Sequence, residues 1–206
     1  MQLRTIHRYS ALFLGLFVLV HLLNHLVGLS GIEAHTAFMK SARVVYRFPA
    51  IEVLLLLAVA IQIYSGLTFV VRGWKQRRGF VAWLQAGSGI YLALFFLNHV
   101  AAVLIGRTFL NLETNFHFAA AGFYVYPFQF FFAPYYFLAV LSLFIHLGCA
   151  FYWQVESRPL SVRGSALGFP VLIGIVLATV IVLMLAGVFY PVEIPPEYTA
   201  VFENVR

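Results

Sequence analysis

Five apolar runs constrain this chain more than any other feature. They cover residues 9–29, 51–71, 83–105, 134–155 and 169–189, each close to the ~20 residues a helix needs to cross a bilayer core. Backbone groups in hydrocarbon must be satisfied within the segment, which leaves helices or a closed barrel. The runs lack the alternation of barrel strands. The expected fold is therefore all-α and polytopic: one membrane domain of five transmembrane helices, the first four an antiparallel bundle. A composition of 63% hydrophobic and 10% charged residues, with no Asp, is too apolar for a soluble domain. Arg4 and Arg8 precede the first run as they would in a signal peptide. That run is longer than a signal core and ends in VGLSGIEAH without a clear small-residue cleavage site, so it reads as the first span.

Lysines and arginines at the span ends orient the bundle. With the N-terminus cytoplasmic, Arg4, Arg8, Arg72, Lys75, Arg77, Arg78, Arg158 and Arg163 lie inside, eight in all. Lys40, Arg43, Arg47, Arg107 and Arg206 make five outside. The net charge of +6 thus sits in short loops and not on one soluble face, which speaks for membrane topology and against nucleic acid. The single cysteine, Cys149, lies within the fourth run and reads as a small packing residue. Residues 191–206, PVEIPPEYTAVFENVR, begin with prolines and are polar enough to form an external tail.

An internal repeat runs through the first four spans. Ser10 to His21 in the first matches Ser88 to His99 in the third, with a serine eleven residues before the histidine in both. An alternative register sets Leu23-Asn24-His25 on Leu97-Asn98-His99, one helical turn away, so His21 and His25 both stay candidates. In the second and fourth spans, AIQIYSGLTF set on FIHLGCAFYW puts Gln62 opposite His146. Two helix pairs in one bundle would leave self-similarity of this kind, and so would apolar composition alone.

Imidazole in hydrocarbon is costly unless something pairs with it. His21, His25, His99 and His146 all fall within the spans, whereas His7, His35 and His117 lie at helix ends or in loops and read as interfacial. A single intramembrane histidine is accounted for by a bond to a neighbouring helix. Two at matching depth on two helices also suit axial ligation of haem iron. Gly15, Gly66 and Gly89 are placed either to admit a macrocycle or simply to let helices approach. Zinc would want four ligands, commonly thiolate or carboxylate among them, and Glu52 is the only acid within the runs. No nucleotide-binding glycine motif or nucleophile elbow is present, so no catalytic residue is assigned.

HRYS before the first span, VHLLNH at its end, RFPAIE, WLQAGSGIYLALFFLNH and FIHLGCAFYW together resemble a known family over about residues 4–155. It is the five-helix, single-chain cytochrome b membrane anchor of succinate dehydrogenase and fumarate reductase, the complex II type. The most specific piece is WLQAGSG followed by histidine. The resemblance implies a respiratory-chain electron-transport subunit in the bacterial cytoplasmic membrane, with flavoprotein and iron–sulfur subunits, lipid and quinone as partners. It would be a non-catalytic or quinone-reducing subunit. It further implies b haem, with His21 and His99 as the outer ligand pair and His146 as half of an inner pair. Gln62 stands where the other inner histidine belongs, which leaves one haem, or none, or two. His7, Arg8 and Ser10 match the residues beside the family's quinone and haem propionates.

Overall fold

The computed structural model describes residues 2–203; Arg206, counted above among the outside charges, lies outside them. Eight α-helices follow in order: α1 (Leu3–Val27), α2 (Ile32–Tyr46), α3 (Pro49–Gly73), α4 (Phe80–Thr108), α5 (Phe116–Ala120), α6 (Gln129–Gln154), α7 (Leu160–Leu185) and α8 (Pro196–Glu203). Short 3-10 turns occupy Gly28–Ser30 and Ala121–Phe123, and no strand occurs among the described residues. Five helices, α1, α3, α4, α6 and α7, are long and apolar enough to span a bilayer. The chain is an all-α polytopic membrane protein.

The spans pack in chain order, α1 on α3, α3 on α4, α4 on α6 and α6 on α7. Connections at alternating ends, short at residues 74–79 and 155–159 and carrying α2 or α5 at the other end, make each neighbour antiparallel. Among the described residues α1 packs comparably on neither α4 nor α6, so the first four helices form an arc whose last side is open. Leu14, Ala58 and Val59 fill the contact between α1 and α3. A second core of Phe116, Ala120, Ile181, Met184 and Leu185 lies at the end away from the N-terminus, here the far end.

The fourth and fifth spans begin earlier than the apolar runs suggest. Pro134 lies inside α6, five residues after its start; the ring removes one hydrogen bond, a loss that helix neighbours and local adjustment tolerate. VRGSALG reads like a loop, yet it forms the first turns of α7 because small residues let α6 and α7 approach. A Cβ built on Gly148 would stand 2.8 Å from the Leu167 carbonyl oxygen, and one on Gly174 only 2.5 Å from Phe144 Cβ. With no hydrophobic drive between helices in lipid, such close packing is a principal source of association. At the other end α7 stops at Leu185, before the turn at Gly187, whose φ of +75° is one that glycine adopts without strain.

The far end is roofed by short elements. α2 turns His35 and Met39, four residues apart, into the protein. Phe116 of α5 is wholly buried, and the cap residue Asn115 accepts from the Phe118 amide and donates to Tyr198 Oη of α8 at 3.0 Å. Tyr190 donates to the Gly28 carbonyl at 2.6 Å. Residues 191–203 are therefore no free extension, because their aromatic side chains have apolar surface to cover: Tyr198 is buried and Phe202 packs on Phe128 and Phe132.

The α6–α7 approach yields a test. Gly148→Ala must push against backbone and should cost about 1–3 kcal/mol, read as a lower Tm in detergent. Gly164→Ala in the same pair meets nothing within 4 Å and should be neutral or stabilising by up to about 1 kcal/mol.

Candidate functional site

Polar side chains inside the arc collect at two levels. Nearest the N-terminus are His7 and Ser10 on α1, Gln62 and Ser65 on α3, Gln85 and Ser88 on α4, and His146 on α6. Gln62 Nε2 donates to the His7 carbonyl and to Ser10 Oγ, both at 2.7 Å. His146 Nδ1 meets the Gln85 carbonyl at 3.2 Å and Ser88 Oγ at 3.3 Å. Ser10 matches Ser88 and Gln62 matches His146, so these two pairs of bonds are the same pair made twice. The repeat read from sequence is carried in the structure by equivalent hydrogen bonds.

Ser65 Oγ lies within hydrogen-bond reach of both the Ile61 carbonyl and His7 Nδ1, the latter at 2.7 Å. A carbonyl oxygen only accepts, so His146 Nδ1 carries its proton toward Gln85 and its ring presents an unprotonated Nε2. Arg8 does not join this group: next to His7 in sequence, it is turned about 100° around the helix and is exposed.

The second level lies toward the far end and is a file of imidazoles. Ring centroids of His99 and His21 are 6.0 Å apart, His21 and His25 4.9 Å, and His25 and His35 5.5 Å. Phe95 stacks on His99 and Phe17 on His21, fixing both rings. His25 and His35 each bury an Nδ1 with no partner. Asn24 Nδ2 lies 3.0 Å from His35 Nε2, holding that ring.

His35 is the residue that sequence reading places wrongly, whereas His117 is half-buried at the end of the bundle. The interfacial expectation places His35 at the surface, yet it is 3% exposed because α2 folds over the end of α1. Its spacing of four from Met39, on one face of a helix whose charged residues Glu33, Lys40 and Arg43 lie elsewhere, is the signal that could have found it. His117 lies beyond Phe116, its ring 6.0 Å from that of Tyr198.

As for metals, Glu52 is committed to Arg107 at 2.6 Å. Among the described residues no three His, Cys or acidic side chains converge into a cage. What the bundle offers is pairs of imidazole nitrogens. That suits haem, whose porphyrin brings the equatorial ligands and needs only axial ones from protein. The donors fit the group: His21 and His99 meet although the backbones of α1 and α4 stay apart, and His25 Nδ1 is an orphaned buried donor set beside them. Of the three glycines expected to make room, Gly66 lies against His7 and Gly89 against His146, whereas Gly15 faces outward with nothing within 4 Å.

Burial, and then the charges of His21, Arg43 and His117, lower the pKa of His35 from 6.5 to about 4. The unfolded chain therefore takes up this proton first as pH falls, and the stability His35 contributes is complete above 6.5 and lost toward 4. Thermal stability in detergent should drop between about pH 7.5 and pH 5, and His35→Gln, which retains a bond to Asn24, should shrink that drop. An unchanged pH dependence in the variant would assign the titration to other groups.

No family model, curated protein or solved structure matches this chain.

Proposed function

We propose that the chain is the membrane anchor subunit of a succinate:quinone oxidoreductase-type complex in the bacterial cytoplasmic membrane. It binds quinone and b haem and passes electrons to quinone from an iron–sulfur subunit. The observation that carries this reading is the meeting of His21 and His99, one from each half of the repeat, at 6.0 Å between helices whose backbones do not pack closely. His99 with His21 would hold the iron, His25 being the alternative one turn along the same face. The bound group supplies one-electron chemistry. The chain would exclude water from it with α2, α5 and α8, and stacking on Phe17 and Phe95 fixes the two imidazole rings.

At the N-terminal end Arg72, Lys75 and Arg78 are exposed, and Arg77 stacks over Trp74 and Trp83. Flavin- and iron–sulfur-bearing subunits would dock on this basic, aromatic-belted face, where charge of one sign steers a complementary surface. His7 and Ser10, with their bonds to Ser65 and Gln62, support a quinone headgroup at the same end.

The decisive measurement is the reduced-minus-oxidised visible spectrum of the purified complex, with haem per chain and spin state. His99→Ala should remove a low-spin haem, and His21→Ala should remove it in full or in part according to rescue by His25. No haem in the intact complex would leave an anchoring subunit whose histidines are interhelical hydrogen bonders.

Orientation gives a second test. A reporter fused after Arg206 should be found outside the cytoplasm, as the eight-to-five split of Lys and Arg requires. A cytoplasmic reporter would reverse the docking face.

A further inference from the structure

Amides in the interior of the spans are paired, with one exception. Gln62 bonds to the His7 carbonyl and Ser10, Gln85 accepts from Trp153 Nε1 at 2.9 Å, and the buried Asn24 sets its amide nitrogen 3.0 Å from His35 Nε2. Asn98 of α4 is exposed and, among the described residues, makes no hydrogen bond. Nor does it reach an interface. Arg107 lies nine residues on (107 − 98) and Trp83 fifteen back (98 − 83), roughly 14 Å and 22 Å along the helix at a rise of 1.5 Å per residue. The side chain is too short to snorkel over either distance. A polar group at that depth is costly and marks a contact.

Its direction follows from the helix. Asn98 is turned about 100° from His99, away from the imidazole file and onto the outer face of α4. Leu94 and Ile105 share that face, 56% and 48% exposed, as do Gly87 and Ala102. A Cβ built on Gly87 meets nothing within 4 Å. The neighbours α3 and α6 pack on the other sides of α4, which leaves this side to lipid or to another chain.

Asn24 shows what such an amide does when a helix reaches it. In the register that sets Leu23-Asn24-His25 on Leu97-Asn98-His99 the two asparagines are equivalent, and α2 folds back over α1 to bring His35 to Asn24. The helix that follows α4 is the five-residue α5, which packs on α2 and α7. A partner for Asn98 therefore comes from outside the chain.

The amide itself selects that partner. A carboxamide both donates and accepts, so two of them pair reciprocally across a two-fold axis, the closed contact that symmetric dimers use. Copies of a membrane chain share one orientation, and two of them side by side are related by an axis along the bilayer normal. Their α4 helices then run parallel, and like residues meet at equal depth. One asparagine in an otherwise apolar helix face fixes register and oligomeric state in coiled coils, and asparagine bonds across helices in lipid as well.

We propose that the outer face of α4 is an interface between two copies of this chain, registered by a reciprocal Asn98–Asn98 hydrogen bond at the two-fold axis. The inference is independent of the haem and quinone reading, and it leaves the N-terminal end of each copy free for soluble subunits.

The test uses the full chain, in its native membrane and in mild detergent. Asn98→Cys, with Cys149→Ala removing the other thiol, should give a disulfide-linked species of twice the chain mass when membranes are treated with copper phenanthroline. Leu57→Cys in the same background, exposed on α3 at about the same depth, should not. Sedimentation equilibrium in detergent, with Cys149 intact, should find a dimer. Asn98→Leu should weaken it about tenfold, the loss of one interhelical bond in a membrane, and Asn98→Gln, which keeps the carboxamide, far less. Leucine suits a lipid-facing position, so Asn98→Leu should keep or raise the Tm of the monomer. A monomeric intact chain at every protein-to-detergent ratio would overturn the proposal. So would a dimer of equal strength in Asn98→Leu, or Asn98→Cys cross-linked to a different membrane protein and not to itself.

Discussion

Gln62 and His146 each commit a side-chain nitrogen to a carbonyl and a hydroxyl on the helix beside them, and the rest of the bundle is arranged around those two sets of bonds. Lipid solvates apolar helices as well as their neighbours do, so apolar surface alone gives no reason for α1 to choose α3 or for α4 to choose α6. A polar side chain left unpaired in hydrocarbon is penalised, and these bonds select the partner, the antiparallel direction and the register together. Once α1–α3 and α4–α6 are set, α3 and α4 complete the arc, and α7 joins through the glycine contacts with α6.

At the end nearest the N-terminus the demand for polar partners is met by side-chain hydrogen bonds, and Gln62 faces its own pair partner and closes the inner seam. At the far end the demand is met by ion pairs: Arg43 reaches Glu113 and the Thr114 carbonyl, both at 2.8 Å, and Arg47 reaches Thr114 Oγ1. Those bonds tie α2 to the loop before α5 and hold the roof over the imidazole file.

Much of this was legible in the sequence where the signal is local. Long apolar runs announce the five spans because the bilayer sets their length, and the serine-to-histidine spacing announces the repeat because the two halves solve one packing problem. What was not legible depends on which surfaces meet. VRGSALG carries loop residues that become helical only against α6. His35 looks interfacial and Tyr198 lies in a segment that reads as an external tail, until α2 and α8 fold over the end of the bundle. Gly15 lies on the same helix as His21, yet it faces outward.

The roof has a consequence for biogenesis. Its closing bonds, Tyr190 to Gly28 and Tyr198 to Asn115, join residues made late in synthesis to residues made long before. While the ribosome is still adding α7, the imidazole file on α1, α2 and α4 already stands in the membrane beneath an unfinished cover. Any bulky group that belongs there has a window for insertion from the far side, and the window shuts when residues 190–203 emerge and fold back. A chain halted before that point would be the state to trap for loading.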